Sequence, residues 1–178
     1  METIRNSISI WFKENRENHF FRQNRSAYTV WVSEVALQQT RIQAAIEPLK
    51  LFLKAFPNLN SLANADESEV LFNFRGLGYY NRARNLHKGA KYIVNNLSGE
   101  FPNTYDELLK VPSIGEYTAA AISSIQFAEK KAVIDGNVNR IVARINGVTE
   151  IQGSNIFKEK GSFSKLPKPC FCASGILK

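Results

Sequence analysis

The sequence predicts an all-α protein, and two observations lead to that prediction. Before Gly147, apolar residues recur every three or four positions, as in amphipathic helices, and no long segment alternates as a strand does. The chain has 178 residues, of which 44% are hydrophobic, so it can bury a substantial core. We therefore expect a bundle of about eight helices, without internal repeats.

The N-terminal part of the chain shows three helical segments. The apolar face of the first is formed by Ile4, Ile8, Trp11 and Phe12. Residues 19–26 interrupt the pattern, and a second helix begins near Tyr28. A third helix runs over residues 42–56 and stops at Pro57, because proline cannot continue a helix.

Two more helices follow in the middle of the chain. Asp66 precedes an apolar run that reaches Phe74, and aspartate is a common N-cap because its carboxylate accepts backbone N–H groups. The Gly-Leu-Gly segment at 76–78 ends that helix. A basic helix then runs from Tyr79 to about Asn95.

Residues 105–127 predict a helix-hairpin-helix. Pro112 and Gly115 make a tight turn, and a second helix opens at Glu116. Glycine allows a ligand to approach the backbone closely, and the unpaired N–H groups at a helix start favour an anion. In a basic chain we expect that anion to be a DNA phosphate. The residues expected to contact it are Ser113, Ile114 and Gly115.

The last predicted helix follows Asp135, which stands twenty positions after Gly115. Its apolar positions are Val138, Ile141, Val142 and Ile145. Asp135 is suited to be the N-cap of this helix, where the positive helix end favours a negative charge. The remaining residues, 151–178, lack helical periodicity and are expected to be irregular or disordered.

Composition narrows the class of protein. The net charge is +7 and the isoelectric point about 9.5, which suits a polyanionic partner. The two cysteines, Cys170 and Cys172, are too close in sequence to cross-link a fold, as is typical of a reducing compartment. No secretion signal begins the chain, and no apolar run approaches the ~20 residues of a membrane span. We expect a cytoplasmic protein that does not enter membranes.

Glu34 is the one acidic residue inside an otherwise apolar helix. A carboxylate buried there without a partner tends to stay protonated, and a protonated carboxyl that faces a cleft can act as a general acid. The alternative is that Glu34 faces solvent or caps a backbone group. Helix position alone favours that alternative.

Three sequence blocks carry a family resemblance. Residues 31–40 read Trp-Val-Ser-Glu-Val-Ala-Leu-Gln-Gln-Thr, residues 76–86 read Gly-Leu-Gly-Tyr-Tyr-Asn-Arg-Ala-Arg-Asn-Leu, and residues 135–140 read Asp-Gly-Asn-Val-Asn-Arg. Together with the hairpin and its aspartate, these blocks resemble adenine DNA glycosylases of the MutY type, within the helix-hairpin-helix DNA glycosylases. The similarity covers about residues 20–148.

The resemblance implies the chemistry of three residues. Glu34 corresponds to the acid that protonates adenine, and Asp135 to the carboxylate that stabilises the cationic sugar. Tyr117 stands where bifunctional glycosylase/lyases carry a lysine, and a tyrosine cannot form their Schiff base. It is expected near the active site. An ordinary surface tyrosine and a simple N-cap remain the alternatives for Tyr117 and Asp135.

The resemblance also implies contacts with DNA. Gln39 and Tyr79 are expected to wedge into the duplex while the adenine leaves the stack, with Thr40 beside the oxidised guanine. Arg82 and Arg84 belong to a basic cluster suited to phosphates, although solvated surface charges would look the same. The remaining expected contacts with DNA are Gln38 and Asn137. The expected base-pocket residues are Arg22 and Trp31.

The resemblance predicts two helical lobes with a DNA groove between them. A helical barrel would comprise residues 23–132, and residues 1–22 and 133–150 would form an incomplete second lobe. Three departures stand out. Ser113 replaces the first glycine of the family's hairpin, Phe20-Phe21-Arg22 replaces Leu-Pro-Trp-Arg, and the family's C-terminal domain for 8-oxoguanine is missing, so the chain looks truncated.

The family's [4Fe–4S] cluster is held by four cysteines, and this chain has two. We therefore expect no cluster on Cys170 and Cys172, and no other metal site. The predicted function is monofunctional excision of adenine mispaired with 8-oxoguanine or guanine in double-stranded DNA, by a monomer. Truncation would leave it inactive or reduce it to a DNA-binding remnant. An enzyme of the endonuclease III type is the other alternative.

Overall fold

The computed structural model describes residues 2–17, 19–23 and 26–145, and these residues contain helices and no strands. The all-α prediction is therefore confirmed. The helices in this part of the chain are α1 (Glu2–Asn15), α2 (Phe20–Gln23), α3 (Ala27–Leu37), α4 (Ile42–Ala55), α5 (Leu59–Ala63), α6 (Glu67–Asn73), α7 (Asn81–Asn96), α8 (Tyr105–Leu108), α9 (Glu116–Gln126) and α10 (Gly136–Ile145).

Two short helices, α2 and α5, lie where no helix is predicted. Phe21 of α2 is buried and Phe20 packs against the core, so two aromatic side chains fold the interruption onto the bundle. In α5, Leu59 and Leu62 are buried, and the chain before them forms a capping box around Asn58. Periodicity misses both helices because each has only one turn or so of residues.

The helix starts differ in how they are capped. The hydroxyl of Ser26 accepts a hydrogen bond from the backbone N–H of Thr29 at 3.0 Å, which starts α3. Asp66 occupies the N-cap position of α6 as predicted, but its side chain makes no capping hydrogen bond. Tyr79 and Tyr80 precede α7, so that helix starts later than the basic sequence suggests.

Helix α3 is the centre of the molecule and packs against α2, α4, α7 and α9. Most of its side chains are buried on every side of the helix, as expected for a helix that other helices surround. The buried apolar members are Tyr28, Val30, Trp31, Val32, Val35 and Ala36. Any polar residue of α3 must therefore face either a neighbouring helix or a cleft.

Gly89 lets α7 approach α3 and the hairpin closely. A Cβ atom at this position would lie 2.8 Å from two atoms of the Trp31 ring and 3.0 Å from the carbonyl oxygen of Pro112. The indole is fully buried and packs edge-on against Phe101, with ring centroids 5.6 Å apart. Only glycine fits between α7 and this side chain.

The predicted hairpin is present as α8, a tight turn and α9. Val111 and Ile114 are buried under the turn, and the Ile114 N–H donates to the Val111 carbonyl at 3.1 Å. Ser113, which replaces a family glycine, has a left-handed backbone with φ of 72°. Its hydroxyl donates to the carbonyl of Asn85 on α7 at 2.6 Å, which ties the hairpin to the bundle.

Some predictions concern residues or boundaries beyond these observations. The tail 151–178, with Cys170 and Cys172, lies outside the described residues. The lobe boundaries at 22/23 and 132/133 remain predictions. No helix within the described ranges is both long and apolar enough to cross a membrane.

We predict opposite effects of alanine at two helical glycines. Gly89→Ala forces a methyl group into the Trp31 ring and should lower the free energy of unfolding by about 1–3 kcal/mol. Gly136→Ala places its methyl in open space at the start of α10 and should raise that free energy by about 0.4–1 kcal/mol. Urea unfolding of both variants and the parent measures the difference. Equal shifts would contradict the close packing of α7 on Trp31.

Candidate active site

Glu34 lies on the part of α3 that opens to a cleft. Its side chain is half-buried among the apolar residues of that helix. Burial raises the pKa of the Glu34 carboxyl, and a hydrogen bond from the Tyr117 hydroxyl and the positive charge of Arg22 oppose this rise. A carboxyl in this setting holds its proton to a higher pH than a solvated one, as a general acid must.

Tyr117 reaches the cleft from the first turn of α9. Its side chain is 37% exposed, so it faces both Glu34 and the open space. Burial raises the pKa of the phenol, and the charges of Glu34 and Asp135 raise it further. The phenol therefore keeps its proton at neutral pH and acts as a donor to Glu34.

Asp135 is held at the start of α10 by hydrogen bonds to both carboxylate oxygens. Oδ1 accepts from the backbone N–H of Val138 at 2.7 Å, which is the predicted N-cap. Oδ2 accepts from Nδ2 of Asn137 at 3.1 Å, and Oδ1 of Asn137 in turn accepts from Arg140 at 2.7 Å. The carboxylate is thus oriented by its own helix and remains accessible from the cleft.

A cleft of about 830 Å³ brings most of the predicted residues together. Its lining contains the predicted residues Glu34, Gln38, Gln39, Tyr79, Arg82, Tyr117, Asp135 and Asn137. It also contains Leu37, Tyr80 and Asn81, which sequence reasoning missed. Leu37 could have been found from its position one helical turn after Glu34, and the other two from their adjacency to Tyr79.

Two loops form one wall of the cleft, and each has a left-handed residue at its tip. Gln39 follows α3 with φ of 59°, and Tyr79 precedes α7 with φ of 48°. Tyr79 is 66% exposed, so its ring is available to a ligand. Gln38 behind them contacts the hairpin helix, with its Nε2 donating to the Thr118 hydroxyl at 3.4 Å.

Arg82 is predicted to bind phosphate, and in the structure its guanidinium binds groups of the protein itself. It points between the two loops, where it donates to backbone carbonyls and to the hydroxyl of Thr40. That hydroxyl donates in turn to the carbonyl of Leu77 at 3.1 Å. Sequence reasoning did not predict these hydrogen bonds of Arg82 and Thr40 to the two loops.

The other predicted residues lie outside the cleft lining. Trp31, a predicted base-pocket residue, is fully buried in the core. Arg84 makes a surface ion pair with Glu67, at 3.1 Å between Nε and Oε1. Arg22 acts on the site through its charge near Glu34. Ser113, Ile114 and Gly115 form the hairpin turn described above.

The absence of a metal site and of an iron–sulfur cluster stays a prediction, because Cys170 and Cys172 lie outside the described residues. No group of three or more His, Cys, Asp or Glu side chains that could hold a metal ion occurs among the described residues. The two cysteines of the chain supply half of the thiolates that a [4Fe–4S] cluster normally needs. Two thiolates do not fit the four-thiolate cluster that the sequence resemblance implies.

The hairpin, the aspartate after it and the shared cleft define a helix-hairpin-helix fold of the DNA glycosylase class. Residues 32–163 match the family described as HhH-GPD superfamily base excision DNA repair protein, and the chain belongs to this family. The resemblance found in the sequence is thereby confirmed.

Relatives with similar sequences are adenine DNA glycosylases. The protein of Buchnera aphidicola subsp. Acyrthosiphon pisum (strain APS) is 39% identical over 157 residues, which are 88% of this chain and 43% of the relative. The protein of Homo sapiens is 36% identical over 166 residues, covering 88% of this chain and 30% of the relative. The chain thus spans less than half the length of these curated relatives.

Solved structures agree on the fold. A non-covalent endonuclease III–DNA complex superposes with a TM-score of 0.75 at 22% identity, covering 99% of this chain and 82% of the other. A thermostable thymine-DNA glycosylase gives a TM-score of 0.74 at 23% identity, covering 79% of this chain and 65% of the other. At these identities the likeness establishes the helical architecture alone.

We predict that Tyr117→Phe raises the pKa of Glu34 further. The phenylalanine ring keeps the carboxyl buried but removes the O–H that donates to it, and this donation lowers the pKa. A pH titration of side-chain carboxyl carbons by NMR measures the change. Tyr92→Phe, on α7 and outside the cleft lining, is the matched control. An unchanged or lower pKa of Glu34 in Tyr117→Phe would contradict the hydrogen bond.

Proposed function

We propose that the protein is a monofunctional adenine DNA glycosylase that hydrolyses the N-glycosidic bond of adenine mispaired with 8-oxoguanine or guanine. The observation that carries this proposal is the meeting of Glu34, Tyr117 and Asp135 in one cleft, with the pKa of Glu34 raised. Relatives with 36–39% identity are named for the same activity. The preference for an adenine opposite 8-oxoguanine follows from the resemblance of residues 31–40.

The first step in this mechanism is proton donation by Glu34. Adenine leaves poorly as an anion, so a proton must reach a ring nitrogen as the bond between that base and C1′ of the sugar breaks. Glu34 holds a proton at a higher pH than an exposed glutamate and lies at the cleft wall. Tyr117 keeps its carboxyl oriented through the hydrogen bond.

The second step concerns the sugar. Loss of adenine leaves a positive charge shared between C1′ and the ring oxygen, and a carboxylate beside it lowers the energy of that state. Asp135 would supply this carboxylate, and its two hydrogen bonds hold it in place before the reaction. A water molecule then adds at C1′, and its proton returns to the Glu34 carboxylate.

The base must leave the duplex before it can reach Glu34. Gln39 and Tyr79 stand at the tips of two adjacent loops on the cleft wall, where their side chains could fill the space left by the base. Gln38 and Asn137 lie on the same cleft and would contact the DNA around the extruded nucleotide. The hairpin turn at Ser113, Ile114 and Gly115 would bind a phosphate, and Arg84 would add positive charge nearby.

The oligomeric state and the location of the protein belong to the same proposal. A net charge of +7 supports binding to a duplex without a second protein subunit, so we propose that it acts on DNA as a monomer. The cytoplasmic location expected from the cysteine usage is part of the same proposal. The lyase alternative of the endonuclease III type is disfavoured by Tyr117, which has no amine to attack the sugar.

We predict that replacing the Glu34 or the Asp135 carboxyl by an amide of the same shape strongly slows adenine release. Glu34→Gln cannot donate a proton and should lower the single-turnover rate of adenine release by roughly 10²- to 10⁴-fold. Asp135→Asn loses the charge beside the sugar and should also slow release strongly. Filter binding to a duplex containing adenine opposite 8-oxoguanine should change little, because both roles belong to the transition state.

Matched controls separate chemistry from charge. Glu47→Gln removes a surface carboxylate on α4, and Asp66→Asn changes an N-cap residue without a capping bond. Both should release adenine at the parent rate. A Glu34→Gln protein that keeps full activity would overturn the assignment of the acid.

We also predict that no covalent adduct forms with DNA. Bifunctional relatives join a lysine amine to C1′ as an imine, which borohydride reduces to a stable link. With Tyr117 at that position, borohydride should trap no protein–DNA complex while adenine is released. A bifunctional glycosylase treated in parallel gives the positive control. A trapped adduct that maps to α9 would assign the protein to the lyases instead.

A further inference from the structure

We infer that Arg82 is a positioning residue that holds the two wedge loops together, and that it is not a phosphate ligand. The wedge loops are Gln38–Thr40, after α3, and Leu77–Tyr79, before α7. This inference rests on the proposed function for its effect on adenine release. Its structural basis is a set of contacts that exist without DNA.

The contacts of the guanidinium join both loops to the end of α3. Nη1 donates to the carbonyls of Val35 at 2.7 Å, Ala36 at 3.0 Å and Gln38. Nη2 donates to the Thr40 hydroxyl at 3.1 Å and to the carbonyls of Leu77 at 2.7 Å and Gly78 at 3.1 Å. One side chain therefore binds the helix that carries Glu34 and both loops beyond it.

The acceptors at the end of α3 explain why this position needs an arginine. The last carbonyls of a helix lack partners within the helix, and buried carbonyls without donors are costly. A guanidinium has five N–H donors spread in one plane, so it can serve several carbonyls on two sides at once. A lysine has three donors at a single point and cannot span from Val35 to Leu77.

The loops that Arg82 joins are both strained at their tips. Gln39 and Tyr79 have left-handed backbones, which residues with a Cβ adopt only when the surroundings impose them. The Arg82 guanidinium binds the Gln38 carbonyl and the Thr40 hydroxyl on the two sides of Gln39. It also binds the Leu77 and Gly78 carbonyls just before Tyr79, and it lies 5.7 Å from the centre of the Tyr79 ring. Release of the guanidinium would let both tips relax to ordinary backbone angles.

The two tips are expected to act as one unit when DNA binds. Side chains that enter the duplex can displace a base only if their loops keep their positions against the stacked bases. Two loops that bind the same guanidinium cannot move independently of each other. Loss of Arg82 should thus impair removal of the base from the stack. It should impair the bond-breaking step at Glu34 and Asp135 much less.

Hydrogen exchange tests the contacts themselves. Arg82→Lys keeps the positive charge but loses the planar set of donors, and Lys54→Gln, on the exposed end of α4, removes a distant charge as the control. We expect exchange of the Gln38, Thr40 and Leu77 amides to accelerate roughly 10-fold or more in Arg82→Lys, with the hairpin unchanged. Unchanged protection of these amides would overturn the inference. This measurement does not depend on adenine release.

Excision from two substrates tests the positioning role. One duplex carries adenine opposite 8-oxoguanine, and the other carries adenine opposite an abasic site, where the base is already unpaired and leaves the stack easily. Arg82→Lys should slow release from the first roughly 10²-fold and from the second much less. Equal slowing on both duplexes would overturn the inference, because general structural damage or a lost phosphate contact affects both. If the parent protein releases no adenine, the proposed function fails and the exchange data alone decide.

A pair of variants at Thr40 covers the case in which Arg82→Lys does not fold. Thr40→Val keeps the side-chain shape but removes the hydroxyl that joins Arg82 to Leu77, whereas Thr40→Ser keeps that hydroxyl. Thr40→Val should reproduce the faster amide exchange, and Thr40→Ser should keep the exchange rates of the parent protein. Identical behaviour of the two variants would overturn the inference.

Discussion

The contact between Trp31 and Gly89 is the constraint on which the rest of the structure depends. It brings α7 against α3 at a distance that no residue with a side chain allows, and Pro112 of the hairpin closes over the same point. Because three elements meet there, the hairpin helix is held beside α3. Tyr117 on one and Glu34 on the other are then close enough to share a hydrogen bond. The geometry of the cleft at Glu34 and Tyr117 is therefore a product of core packing rather than of a flexible surface loop.

The central position of α3 has an energetic cost at the site. The apolar surroundings that stabilise the bundle also raise the pKa of Glu34. A carboxyl whose pKa is higher in the folded state favours folding below its unfolded pKa, and this contribution is lost as the pH rises through the folded value. Around neutral pH the acid thus opposes the stability of its own helix, and Tyr117 moderates the effect by donating to it.

Sequence predicted the elements of the site better than their interactions. The helix of Glu34, the hairpin and the cap at Asp135 follow from local patterns, because apolar spacing, turn residues and N-caps each act within a few positions. The direction of the Arg82 side chain does not follow, since four of its six acceptors, on residues 35–40, lie more than forty residues away. Trp31 likewise lies in the core because Gly89 makes space for it, and nothing adjacent in sequence shows that pairing.

The left-handed backbone at Gln39, Tyr79 and Ser113 has a consequence for how this chain can change. Glycine at Gln39 or Tyr79 would relieve the backbone, so selection for thermal stability alone would favour it. Glycine at Ser113 would also remove the hydroxyl that donates to the Asn85 carbonyl. At Gln39 and Tyr79 the same change would remove the side chains that stand at the loop tips. Laboratory evolution for heat resistance should therefore favour glycine at these two positions, whereas any selection that needs the loop-tip side chains should oppose it.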